Sequence, residues 1–245
     1  MKTPVCIGMM RSASRMTWQV VSMLEEADVR PADWLQPGWP EDIGTEVWPH
    51  RDHEYISGPP VIFTYRHPVE AFLSLQAKFR IDVGNSWVEG GQYTVRDAWV
   101  AAMKNTGLAW ETYRQLKRDV EDGRPVLFLR YEDYYDNPIN RITDIIDFWG
   151  IEASDKKIAK ILEETSVKSN FVKGKAMTHF HPEKPFQAIS GADSGMQRDH
   201  VSEQTFGVPG KWLEIQSEFV KEVQAGTQPA LQALKEMTLD MGYEI

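Results

Sequence analysis

An apolar run, Pro4–Met9, feeds straight into "MRSASRM" at residues 10–16. Arg11 and Arg15 offer guanidinium forks suited to phosphate or sulfate oxygens, and Ser12 and Ser14 offer hydroxyl donors. Gly8 and Ala13 are small enough to let the backbone come close to a ligand. Placed between a parallel strand and the next helix, such a loop points its N–H groups at the strand's C-terminal edge, where anions bind in such sheets. Taken alone, the stretch also reads as a helix N-terminus capped by Ser14 with two surface arginines. It is not a triphosphate loop, because Ala13 and Ser14 follow Gly8 where a second Gly and a Lys are required. A second apolar run, "VIFTYRHP" at residues 61–68, ends in Arg66 rather than in the acid that Mg²⁺-triphosphate chemistry uses. These residues suit an anion held without a metal.

The chain as a whole is acidic, with 27 Lys plus Arg against 36 Asp plus Glu and a formal charge of −9. That balance argues against a general nucleic-acid binder, so an anionic ligand must be held by a local cluster. Charged residues at 26% and hydrophobics at 42% are ordinary for a soluble globular protein. The single cysteine, Cys6, excludes an intramolecular disulfide, fits a reducing compartment and reads as a small buried residue. No stretch approaches the ~20 apolar residues that span a bilayer, and "VCIGMM" is too short for a signal-peptide core. The expectation is a soluble cytoplasmic protein that binds neither nucleic acid nor membrane.

The elements that must position the loop follow from periodicity. Pro4–Met9, Val61–Pro68 and Pro125–Asp133 read as strands, with one further short strand at Glu46–Trp48. Helices are expected over roughly 15–27, from Pro68 through about Phe79, over 94–121, from Pro138 to a stop at Gly150, over 154–164, and finally near 211–224 and 229–241. Asn137 should cap the fourth of these, with Pro138 in its first turn. Trp99 and Trp110 belong to the apolar stripe of the long helix and read as core. Strands alternating with helices predict an α/β fold, a mainly parallel sheet covered on both faces in three layers. Nothing in the composition divides residues 1–245, so one domain is expected.

The loop is similar to the 5′-phosphosulfate loop of sulfotransferases that use 3′-phosphoadenosine 5′-phosphosulfate. Three further elements agree in order and spacing. Arg66 and Ser74, eight residues apart in "RHPVEAFLS", match the pair that binds the 3′-phosphate in that family. "LRYED" at 129–133 matches a strand end whose Tyr, here Tyr131, lies near the nucleotide. Gly207, Gly210 and Trp212 match a late Gly-x-x-Gly-x-Trp. The resemblance covers about residues 4–213 and implies a P-loop-like nucleotide-binding core.

It further implies metal-independent, in-line sulfuryl transfer to a hydroxyl or amine of a small-molecule, sugar or peptide acceptor, leaving adenosine 3′,5′-bisphosphate. Arg11 takes the leaving-group position, and Ser12, Ala13, Ser14 and Arg15 complete the cradle. Met16 stands where many members place a Trp against adenine; Trp18, about 200° further round a helix, points elsewhere. Thr165 precedes Val167, which replaces an aromatic adenine wall. Thr205 and Phe206 stand where the family offers two cations to the 3′-phosphate, leaving Arg198 or Lys211 to substitute. The acceptor's base is expected between the loop and Arg66, where His50 fits best and His53, Glu46 and Glu54 are alternatives. Trp34, Trp39, Trp48 and Trp87 stand in loops where aromatics can line an acceptor pocket. Seven lysines between Lys156 and Lys184 read as a solvated face that can also dock an acidic acceptor. Two other readings compete: a P-loop nucleotide or small-molecule kinase, and a module that binds adenosine bisphosphate without turnover.

Overall fold

In the computed structural model, which describes residues 4–24, 50–51, 55–84, 94–166, 169 and 207–245, four strands form one parallel sheet. They are β1 (Val5–Gly8), β2 (His50–Arg51), β3 (Val61–Tyr65) and β4 (Val126–Arg130), in the order β2-β1-β3-β4. Nine helices are described: α1 (Ser14–Leu24), α2 (Pro68–Gly84), α3 (Val95–Glu121), α4 (Tyr131–Tyr135), α5 (Pro138–Trp149), α6 (Asp155–Glu164), α7 (Lys211–Ile215), α8 (Ser217–Ala225) and α9 (Pro229–Asp240).

Register explains the three layers. Val5 is level with Val61, and Val61 with Val126, so alternate residues of neighbouring strands share a face. Val5, Ile7, Val61 and Phe63 pack with Tyr113 and Leu116 of α3 and with Met241 and Tyr243 from the end of the chain. Cys6, Ile62 and Leu129 point the other way, onto Trp18, Val21 and Leu24 of α1 and Ile142, Ile145 and Trp149 of α5. Trp18 is therefore a core residue. A third cluster joins Phe72 and Leu75 of α2 to Trp212 of α7 and Leu231 and Leu234 of α9. Both sheet faces are covered, which is why the strands read as nearly unbroken apolar runs.

Several boundaries differ from expectation. The third apolar run leaves the sheet at Arg130, and Tyr131–Tyr135 turn into a helix. That turn swings Tyr131 off the strand and over Arg66, whose guanidinium carbon lies 4.8 Å from the ring centre. Asn137 occupies the cap position of α5 but makes no capping bond with its side chain; Pro138 opens the helix and Gly150, at φ 70°, closes it. α2 continues to Gly84, past the expected Phe79. The helix expected at 211–224 is broken at Gln216 (φ −115°, ψ 39°) into α7 and α8. His50 lies within β2, where it is level with Cys6; the expected strand at Glu46–Trp48 is outside the described residues. No described helix is long and apolar enough to cross a membrane.

Candidate functional site

The loop after β1 is shaped by a steric requirement at its first residue. A Cβ on Gly8 would lie 2.1 Å from Thr64 Oγ1 and 3.0 Å from the Thr64 carbonyl oxygen, so only glycine fits against β3. Met9 N–H then bonds the Thr64 carbonyl at 2.9 Å, and the chain turns through left-handed residues at Arg11 (φ 70°) and Ala13 (φ 63°). Two non-glycine residues at positive φ cost free energy, and such strain gathers at functional turns. Ser12 holds the turn closed. Its hydroxyl lies 2.6 Å from the Met9 carbonyl oxygen and 2.8 Å from Thr64 Oγ1, and its N–H bonds Met9 O at 3.1 Å. Ser12 thus acts as a brace between loop and sheet. Ser14 is buried and begins α1, so the loop delivers the helix N-terminus to the strand edge.

Arg66 follows β3 and is buried. Its Nη1 donates to the Arg11 carbonyl oxygen at 3.1 Å, and its Nη2 meets Glu70 Oε2 as an ion pair at 2.6 Å. Its Nε is buried and has no hydrogen-bond partner among the described residues. Glu70 also accepts the Trp212 backbone N–H at 3.3 Å, tying α2 to α7. Arg11 Nε donates to Ser74 Oγ at 3.0 Å. Tyr131, its phenol pushed up to about 12 by burial, donates to the Gly207 carbonyl at 2.8 Å. Gly207 must be glycine twice over: it sits at φ 73°, and a Cβ there would lie 2.6 Å from the Tyr131 hydroxyl.

The structure therefore joins four stretches that are far apart in sequence: the first loop, the Arg66–Ser74 segment, the start of α4 and the Gly207–Trp212 turn. Met16 and Thr165 meet beside them, lining one cavity with Tyr131 and Ser12. Lys211 is turned outward, its ammonium 2.8 Å from Glu214 in an exposed pair, while Gly210 (φ 79°) caps α7. Arg15 is the second residue of α1 but its side chain is not described; the same holds for the side chain of His50 in β2. His53, Glu46, Glu54, Val167, Arg198, Thr205, Phe206, Trp34, Trp39, Trp48, Trp87 and most of the lysine tract lie outside the described residues.

Sequence reasoning missed three residues here. Glu70 could have been found from its i,i+4 spacing to Arg66. Glu132 of "LRYED" accepts the His67 backbone N–H at 2.9 Å and the Tyr243 hydroxyl at 2.7 Å, linking the end of β3 to the C-terminal segment. Arg141 of α5 lines the cavity of Met16 and Thr165, and nothing local in the sequence marks it.

A parallel sheet with a loop bearing Arg11, Ser12 and Ser14 at its C-terminal edge and no Walker lysine defines a P-loop-like fold. A family profile for the sulfotransferase domain matches residues 59–219. The chain belongs to that family. Among solved structures it is similar to mouse sulfotransferase SULT7A1 complexed with PAP, at TM-score 0.50 and 17% identity over 94% of this chain and 86% of that one. It is also similar to retinol dehydratase in a complex with retinol and PAP, at TM-score 0.47 and 17% identity over 85% of this chain and 79% of that one. No curated protein sequence matches the chain. The profile begins beyond the first loop, so the placement of residues 8–16 against Thr64 and Ser74 comes from the fold itself.

Proposed function

We propose that the protein, acting as one domain, transfers a sulfuryl group from 3′-phosphoadenosine 5′-phosphosulfate to a hydroxyl or amine of a small-molecule, sugar or peptide acceptor. The observation that carries this is the junction of Arg11, Arg66 and Ser74 at one strand edge in a chain of the sulfotransferase domain family. The buried Arg66 Nε, which has no hydrogen-bond partner among the described residues, fits a phosphate-bearing ligand.

When bound, the donor supplies a sulfuryl group whose bond to the 5′-phosphate oxygen breaks as a bond to the acceptor atom forms. Arg66 and Ser74 hold the 3′-phosphate. The N–H groups of Ala13, Ser14 and Arg15 and the start of α1 hold the 5′ end, and Arg11 stabilises the negative charge left on it. Ser12 acts through the loop's shape. Met16, Tyr131 and Thr165 enclose the base, and the Gly207–Lys211 turn closes over Tyr131. His50, carried by β2 next to β1, accepts the acceptor's proton. A reducing, cytoplasmic setting accords with the lone buried Cys6.

The test is ligand-induced thermal stabilisation. Adenosine 3′,5′-bisphosphate without Mg²⁺ should stabilise the free protein by about 2.7 kcal/mol at a hundredfold excess over its Kd, and by more than ATP does at the same concentration. A larger shift with ATP plus Mg²⁺ would return the case to a kinase. Stabilisation by the bisphosphate without transfer to any acceptor in a labelled-donor screen would leave a binding module.

A further inference from the structure

The cavity of about 340 Å³ beside the loop is lined by Ser12, Met16 and Thr17, by Tyr131, by Thr165 and by Arg141. Arg11, Arg66 and Ser74, the proposed phosphate ligands, do not line it. Yet the cavity holds a guanidinium. Arg141 is 5% exposed, its Nε is buried without a hydrogen-bond partner, and it makes no ion pair among the described residues. The ionisable groups acting on it are the phenols of Tyr131 and Tyr134, and burial pushes it down to about 10, so it stays charged at neutral pH. It also stands in the first turn of α5, where the positive end of the helix has the same sign. A buried, unpaired charge in that place is unfavourable for the folded protein, and such groups persist at sites where a ligand supplies the partner.

We propose that Arg141 reads the base of the donor nucleotide, its guanidinium donating to a ring nitrogen of the adenine. The inference rests on the donor assignment above and adds a residue to it. An anion is the less suitable partner, because Asp136 lines the same cavity and would repel it. A guanidinium that only donates, near a carboxylate that only accepts, is complementary to a base edge carrying a ring-nitrogen acceptor beside an amino donor, as adenine does. Leu129, Leu162 and Met16 give the cavity apolar walls for a flat ring.

Titration calorimetry of the full chain with adenosine 3′,5′-bisphosphate and its 1-, 3- and 7-deaza analogues tests this, alongside Arg141→Met and Arg141→Lys. One deaza analogue should bind the wild type about tenfold or more weaker, the loss expected of a missing charge-assisted hydrogen bond. Arg141→Met should bind the parent bisphosphate weaker by a similar factor and no longer distinguish that analogue. Its melting temperature without ligand should equal or exceed that of the wild type, because an unpaired charge has been removed. A wild type that binds all four ligands alike, or a Met variant that keeps the wild-type pattern, overturns the proposal. A Met variant that melts far below the wild type also overturns it, unless Arg141→Lys folds normally and shows the loss of discrimination. Failure of the wild type to bind the parent bisphosphate at all would instead remove the donor assignment beneath it.

Discussion

Arg11 Nε donates to Ser74 Oγ at 3.0 Å, joining residues 63 positions apart. The resemblance assigns these two to opposite ends of the donor, Arg11 to the 5′-phosphosulfate and Ser74 to the 3′-phosphate. Arg66 is held by Glu70 and by the Arg11 carbonyl oxygen. On the function proposed above, Arg66 is the rigid member of the site, and Arg11 would exchange Ser74 for the leaving group.

Arg66→Ala should therefore weaken adenosine 3′,5′-bisphosphate by tenfold or more and leave the weaker binding of AMP nearly unchanged, since AMP lacks the 3′-phosphate. A charge-assisted contact in a buried site contributes about 1.5–3 kcal/mol. Competition binding with both nucleotides checks this. Equal losses for the two would make Arg66 a purely structural residue.

Glu70 is the test of that rigidity. Its side chain is 1% exposed and that of Arg66 is 3% exposed, so Glu70→Ala leaves a buried cation without its counter-charge. The expected loss of stability is about 3–5 kcal/mol, read by urea denaturation. It should exceed the loss from Lys211→Ala, whose pair with Glu214 is exposed and contributes little. Similar small losses in both variants would show that Arg66 is held by its other contacts.

His50→Ala should lower turnover by about 10²–10⁴ with donor affinity nearly intact, if His50 accepts the acceptor's proton. The pH–rate profile of the wild type should rise through an imidazole ionisation. β2 brings His50 level with Cys6, two residues before β1 ends at Gly8. Full turnover in the variant would transfer the role to His53, Glu46 or Glu54.

His67 gives a prediction about pH and stability. Its ring is buried, its Nε2 lies 3.0 Å from the Glu244 carbonyl oxygen, and its Nδ1 has no hydrogen-bond partner among the described residues. Burial lowers its pKa from the ordinary 6.5, against the opposing pull of the Glu244 carbonyl and of Glu132 and Glu70. The unfolded chain thus binds this proton at a higher pH than the folded one does. The stabilisation is complete above about pH 6.5 and is lost as pH falls from there through the folded pKa. Melting temperatures between pH 8 and pH 5 should fall more steeply for the wild type than for His67→Leu. Parallel curves would show that His67 does not set this slope.

Much of the scaffold was legible because its signals are local. The apolar runs at Val5–Gly8, Val61–Tyr65 and Val126–Arg130 form the strands, and Pro138 and Gly150 bound their helix where they stand. Thr94 and Asp97 form a reciprocal capping box at the start of the long helix. Arg11 and Ser12 could be picked out by their chemistry, and Arg66, Ser74, Tyr131 and Gly207 by the resemblance to the sulfotransferase family, before any of them was seen together. Turn geometry was harder to read: "LRYED" looks like a strand to its end, but the chain bends into α4 once Arg130 has finished pairing with Tyr65.

What the sequence determined by itself was the three main strands, most of the helices between and after them, their order, and the residue types offered at the sheet's edge, since each depends on neighbours within a few positions. Only the tertiary structure decided which of those groups are free to meet a ligand. Ser12 carries a hydroxyl suited to phosphate, but packing against β3 turns it onto Met9 and Thr64. Lys211 looked available to the 3′-phosphate and faces Glu214 instead. Arg141 looked like an ordinary helix residue and lines the cavity, buried and without an ion-pair partner among the described residues. The physical reason is that hydrogen-bond satisfaction and desolvation depend on contacts between distant residues, and these exist only once the chain has folded.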